Sequence, residues 1–223
     1  MMNEVKIDRL IRSKRRTISL IISPDATLVV RAPHRTTLEY IENLVFAKRF
    51  WIEEKKKQLL KHFCLSKTKN FTEDEEFYYL GNTYKLKFFD GHKIEVSDFL
   101  FFPQIYRHSA KTKTIVWYKK KALEIITERV HYFSKIAGWK FQSLTLSNAK
   151  RQWGSCKSNG KINFNWKLIM APLAVIDYVV VHELAHLVEH NHSKKFWRKV
   201  ESILPDYKTR QKWLKENANK FTI

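Results

Sequence analysis

The chain predicts an α+β fold: a β-rich N-terminal part, then a helical core that carries a small sheet. Three observations predict it. β-rich alternating runs fill the first 33 residues and return over residues 77–108. Apolar residues recur at helical spacing after Thr37 and again over Ile115 to Ala137. From Pro172 onward, helix-like runs follow one another to about Asn217.

Each element has its own signal. In "TISLIISPDATLVVRAP" two β-rich runs flank Ser23-Pro24-Asp25, a turn sequence, and so predict a hairpin. Thr36-Thr37-Leu38-Glu39 offers a capping box, and Leu38, Ile41, Val45 and Ile52 extend one helix to about Lys61. Gly81-Asn82 and Asp90-Gly91 punctuate the next strands. A long helix over 115–137 stops at Gly138, a residue free to adopt the left-handed cap conformation. "SLTLS" and "KINFNWKLI" read as short strands around the loop "KRQWGSCKSNG". Pro172 suits a helix first turn, Ser193 caps "KKFWRKVESIL", and Pro205-Asp206 starts the last helix. A boundary near residue 110 divides this order into a β-rich part with one long helix, 1–110, and a histidine-bearing part, 111–223.

Composition bounds the function. At 223 residues with 44% hydrophobic and 14% aromatic content, the chain can bury a core. No run of about 18 uncharged apolar residues predicts a membrane span. The N-terminal stretch "MMNEVKIDRLIRSKRR" lacks the apolar core of a signal peptide. Cys64 and Cys156 make no disulfide framework, and together these features predict a cytoplasmic protein without a membrane partner. The net charge of +20 concentrates at the two ends, with 20 basic against 8 acidic side chains over residues 114–223. That balance favours polyanions, including non-specific, salt-sensitive nucleic-acid binding.

The densest signal is "VVVHELAHLVEHNHSKKFW", which places four histidines within eleven residues of an otherwise apolar run. His182 and His186 stand at i and i+4, on one helical face and a turn apart, so both imidazoles can reach one ion. Zinc takes such nitrogens at about 2.0–2.1 Å. Glu183 then lies beside the ion, where it can serve as general base for a zinc-activated water. "DYVVV" is too apolar for a solvated face, and a buried carboxylate beside two imidazoles costs several kcal/mol unless a cation compensates.

His190 and His192 both compete for the third ligand position. On a continuous helix His190 lies about 6 Å beyond His186, and His192 faces the far side. If the helix ends shortly after His186, the chain can turn back and present His192. Asn191 tolerates the left-handed conformation and Ser193 caps a fresh helix, so the sequence favours His192. The spacing matches HExxHxxGxxH, with Glu189 at the usual glycine position; the turn is therefore expected later, near His190 and Asn191.

The chain resembles the YgjP-like family of zinc metallopeptidases, relatives of the SprT and WLM groups with the zincin fold. "RSKRRTISLIISPDATLVVRAP", "FAKRFWIEEKKKQL" and "YLGNTYKLKF" carry the resemblance in the first half. "QWGSC", "INFNWKLIMAP", "DYVVVHELAHL", "NHSKKFW" and "LPDYKTRQKWL" carry it in the second. It implies a zincin-like catalytic core, Zn2+ held by His182, His186 and His192, and Glu183 as the base. Many members have arginine before the Trp-Gly-Ser-Cys element; here Gln152 stands there and Arg151 one place earlier.

The resulting expectation is a zinc-dependent metallopeptidase acting on protein or peptide substrates. The alternatives are a nucleotide phosphoanhydride hydrolase and a nucleic-acid-associated protein with a structural zinc. The first lacks a glycine-rich phosphate loop, and the second has no use for Glu183. Tyr178, Lys150, Arg151, His190 and Tyr207 are the types available to stabilise an oxyanion. "QWGSC" is expected on an edge strand beside the site, Trp153 and Cys156 as packing residues, and Phe196 and Trp197 as core residues locking the helix after His192.

Overall fold

The computed structural model describes residues 5–23, 25–65, 69–149 and 152–223. Its packing divides the chain into two compact units, Met1–Lys67 and Thr68–Ile223.

In the first unit, β1 (Arg9–Ser13), β2 (Ser19–Ile22) and β3 (Leu28–Pro33) form a sheet ordered β1-β3-β2. β1 runs parallel to β3, and β2 runs antiparallel to it as the expected hairpin; Pro24 of that turn lies outside the described residues. Leu28, Val30 and Ala32 alternate inward and meet Ile41, Val45 and Ile52 in a small core. The helix expected over 38–61 is two helices, α1 (Leu38–Ala47) and α2 (Arg49–Leu65). The break falls at Lys48, which leaves helical geometry at φ −100° and ψ 10°. Arg49 donates to the carbonyl of Phe46 at 3.0 Å, satisfying an acceptor that the break frees. Thr37 caps α1, its hydroxyl accepting from the N–H of Tyr40 at 3.3 Å.

In the second unit, β4 (Glu76–Tyr79), β5 (Asn82–Phe89), β6 (Glu95–Val96) and β7 (Leu100–Pro103) form a mixed sheet ordered β4-β5-β7-β6. α3 (Ala110–Ala137) begins five residues before the expected start and ends at Gly138, φ +67°, as its left-handed cap requires. β8 (Ser143–Ser147), β9 (Gly154–Cys156) and β10 (Lys161–Asn165) make a second sheet, ordered β8-β10-β9. β10 pairs parallel with β8 and antiparallel with β9, so β9 is an edge strand among the described residues. A single helical turn, Trp166–Met170, leads to α4 (Leu173–Ala185), followed by α5 (Lys194–Ile203) and α6 (Tyr207–Asn217). No helix among the described residues is long and apolar enough to cross a membrane.

The packing boundary is therefore not near residue 110, because strands β4–β7 belong with the histidine helix. Leu80 and Gly81, at the β4–β5 tip, donate their N–H groups to the carbonyls of Ile169 and Met170 at 2.9 and 3.1 Å. The Tyr118 hydroxyl of α3 donates to the carbonyl of Tyr78 at 2.7 Å. These long-range bonds fix the hairpin against the entrance of α4. Tyr118, Phe164, Trp166, Ile176, Val180 and Leu184 share one buried core around that helix.

Gly81 shows how tight the docking is. Its φ is +84°, and a Cβ there would stand 2.7 Å from Pro172 Cγ and 2.8 Å from Pro172 Cα, at the cap of α4. Gly81→Ala is expected to cost about 1–3 kcal/mol, which for a domain of this size lowers the melting temperature by roughly 2–4 °C per kcal/mol. Thermal unfolding followed by circular dichroism checks it, and an unchanged melt would refute the packed-tip account.

Candidate metal centre and adjoining cleft

α4 is apolar on nearly every side: Val175–Val181 and Glu183–Ala185 are buried. It ends at Ala185, with His186 as its cap, and the chain then bends before α5. The helix thus stops slightly earlier than the turn expected near His190 and Asn191. Asn191 Oδ1 accepts from the N–H of Ser193 at 3.2 Å, and the Ser193 hydroxyl caps α5 by accepting from the N–H of Phe196 at 3.4 Å.

That bend brings His192 back to α4. His182, His186 and His192 each offer one ring nitrogen, and the three lie within 4.8 Å of one another. His192 Nε2 stands 3.0 Å from His182 Nε2. His190 is exposed and takes no part in the cluster. His186 Nδ1 lies 3.1 Å from the carbonyl of Glu189. Read as an N–H donor there, it leaves the Nε2 lone pair free. The glycine-position residue thus serves through its backbone, and its side chain is immaterial to that bond.

The donor set fits a cation. Two nitrogens each about 2.0–2.1 Å from one tetrahedral ion stand about 3.3 Å apart, close to the 3.0 Å seen between His182 and His192. Burial, reinforced by His186 and His192, pushes His182 down to about 3, so its ring is neutral and its lone pair available. Phe196 is fully buried, and its ring lies 4.6–5.0 Å from all three imidazoles. Trp197 stacks on His192 at 5.7 Å and on Tyr207 at 5.2 Å. The two aromatics of α5 lock the cluster, as their position after His192 implied.

Glu183 is 6% exposed and has no hydrogen-bond or ion-pair partner among the described residues. Burial pushes its carboxyl up to about 8. On the strand side it lies against Gly154, the first residue of β9: a Cβ there would stand 2.5 Å from Glu183 Cγ and 2.6 Å from Oε1. Cys156, two residues on, lies outside the metal-ligating group; burial, with a contribution from Glu183, raises its thiol to about 11.

A cleft of about 410 Å³ opens beside His182 and Glu183, walled by Trp153, Gly154, Tyr178 and, from α6, Gln211 and Leu214. Of the oxyanion candidates, Tyr178 lines this cleft beside Gln211, its hydroxyl raised to about 12 by burial. Tyr207 is buried against Trp197. Lys150 and Arg151 lie outside the described residues. "QWGSC", expected beside the site, contains Gly154, but sequence reasoning did not single that glycine out and did not reach Gln211 or Leu214. Packing reveals them, because their proximity to Glu183 spans 28–31 residues of chain.

A family model described as YgjP-like, metallopeptidase domain, matches residues 16–217. The search of curated proteins returns no match. Among solved structures, the chain is similar to the crystal structure of the metallopeptidase zymogen of Pyrococcus abyssi abylysin. Identity is 20% and the TM-score 0.40, with 44% of this chain and 99% of that chain covered.

The Gly154–Glu183 contact yields a direct expectation. Gly154→Ala meets the buried Glu183 side chain from Cγ outward rather than backbone, so it is expected to lower the melt and to force the Glu183 carboxylate to a new rotamer. A crystal structure of the variant checks this; an unmoved carboxylate would show that β9 yields instead.

Proposed function

The chain belongs to the YgjP-like metallopeptidase family, and from that premise we propose a zinc-dependent peptidase in which His182, His186 and His192 hold the ion and Glu183 is the general base. One observation carries the reading: three imidazole nitrogens converge within 4.8 Å, next to a buried carboxylate without a partner. A carboxyl that burial alone holds protonated to about 8 needs a nearby positive charge to ionise at neutral pH.

Zinc held at these nitrogens supplies Lewis acidity, lowering the pKa of water and polarising a carbonyl. The chain supplies the rest. The free edge of β9 accepts an extended peptide by backbone pairing, and Gly154 keeps that strand close to Glu183. Glu183 takes a proton from the attacking water at its carboxylate and returns it to the departing amine nitrogen. Tyr178, beside Gln211 in the cleft, offers its hydroxyl to the carbonyl oxygen as negative charge develops. Leu214 and Val179 give the cleft an apolar wall. The charge and cysteine content keep the cytoplasm as the proposed compartment.

Glu183→Gln is nearly isosteric but cannot accept the proton, so it is expected to keep zinc and lose about 10²–10⁴ in rate. Zinc-loaded wild-type and variant proteins, incubated in parallel with denatured proteins and nucleoside triphosphates, check it. Full activity in the variant would end the mechanism, and hydrolysis of the triphosphates alone would replace the peptidase with the nucleotide reading.

Zinc titration tests the ligand set separately. Loss of an outer partner costs about 10–100-fold in affinity, so His192→Ala should cost about 100-fold or more and His190→Ala little. The reverse order would mean that His190 binds the ion.

A further inference from the structure

A second cavity, of about 570 Å³, shares Gln152, Trp153 and Ala218 with the cleft beside Glu183. Its other walls are Asn148, Asn165, Asn219 and Lys167 together with the apolar Ala149 and Phe221, and no carboxylate lines it among the described residues. Lys167 is half-buried, its ammonium 5.8 Å from the Trp166 ring, and it forms no ion pair among the described residues. Burial and the nearby charge of Lys111 both disfavour its ammonium, which therefore stands to gain from an anion.

The cavity is held in shape by satisfied bonds. Asn165 is 5% exposed; its amide donates to the carbonyl of Ala149 at 2.8 Å, and its Oδ1 accepts from the N–H of Lys167 at 3.0 Å. Asn148 Oδ1 accepts from Trp166 Nε1 at 3.2 Å, which leaves the amide N–H groups of Asn148 unused among the described residues. Asn219 carries a buried Oδ1 without a partner, an acceptor that an anion does not satisfy. The free Lys167 ammonium and the unspent amide N–H groups of Asn148 around one space are the donors available to a small anion.

Position says which anion. Both cavities gather at Gln152 and Trp153, just before the first residue of β9, and neither includes Ser155 or Cys156. A peptide paired on the free edge of β9 has one end at Gln152 and Trp153, residues shared by the cleft and the cavity of Lys167. The lysine repels an α-ammonium and attracts an α-carboxylate, so that end is the C-terminus and the peptide runs antiparallel to β9. We propose that the cavity of Asn148, Asn165 and Lys167 is a subsite for the free C-terminal carboxylate of the substrate. The enzyme then cuts near the end of a chain. Water adds across the amide, its hydroxyl to the acyl carbon and its proton to the amine nitrogen of a short C-terminal fragment that leaves with its carboxylate.

The proposal rests on the peptidase reading but is tested apart from it. Short apolar peptides, identical except for a C-terminal acid or amide, are titrated calorimetrically into the zinc-loaded full chain carrying Glu183→Gln. The acid is expected to bind about tenfold tighter or more, the gain of one charge-assisted bond. Adding Lys167→Met should erase the difference and Lys167→Arg should retain it. Equal affinity for acid and amide overturns the subsite, as does failure of both to bind. Tighter Lys167-dependent binding of a nucleoside triphosphate assigns the cavity to phosphate and also overturns it. Wild-type protein that digests denatured protein yet cuts acid and amide peptides alike removes the subsite and leaves the peptidase. Wild-type protein that cuts nothing removes the peptidase, while the titration still decides the subsite.

Discussion

Burial of α4 is the constraint on which the rest of the second unit depends. A helix that is apolar all round has no solvent face, so every polar group on it loses water and must find another partner or change its protonation. Asp177 finds Arg129, which donates to both carboxylate oxygens at 2.6 and 3.0 Å. Tyr178 keeps its proton, its hydroxyl pushed up to about 12 by burial. One residue pair further along, the pattern changes. His182 has a buried Nδ1 without a partner, and Glu183 has no partner among the described residues. The same desolvation that Asp177 and Tyr178 have settled is left open at Glu183 and at the His182 ring nitrogen turned away from His192. Unsettled desolvation is costly in a core, and it persists where a ligand offsets it.

The end of the helix is as consequential as its burial. At Ala185 the chain leaves α4, and the carbonyl of Glu189 comes round to His186 Nδ1. The bend at Asn191 then starts α5, whose Phe196 packs against all three imidazoles. Aromatic contacts of this kind contribute about 0.5–1.5 kcal/mol each beyond their buried area. A few of them suffice to hold His192, which is exposed, in register with His182 and His186. α5 is thus coupled to the cluster through rings rather than through hydrogen bonds.

Much of this was legible in the sequence, and what was not shares a physical cause. The face shared by His182 and His186, the stop at Gly138 and the cap at Ser193 are local, and local chemistry can be read along a chain. The break at Lys48 escaped because no glycine or proline marks it. The grouping of β4–β7 with α4 escaped because Leu80 and Gly81 bond to Ile169 and Met170, some 89 residues away. The expectation at Glu189 was misplaced in an instructive way. It asked which side chain could make the turn, whereas the bond that orients His186 uses a backbone carbonyl that any residue supplies. Of Tyr178 and Tyr207, equal in sequence as oxyanion candidates, only packing puts one in the cleft and the other under Trp197.

Gly154 ties the two halves of the site together. β9 is an edge strand, and an edge strand offers its backbone to an incoming peptide wherever nothing covers it. The base must lie within a bond's reach of whatever that edge holds. Any side chain at residue 154 would occupy the space of the Glu183 carboxylate, so strand and helix can approach this closely only at glycine. The close approach has an electrostatic consequence as well. It strips water from Glu183 and raises its proton affinity, and so makes the carboxylate responsive to a cation held one residue away. On the proposed reading, substrate edge and base are therefore not two devices placed near one another: both follow from one contact, between Gly154 of β9 and the buried Glu183 of α4.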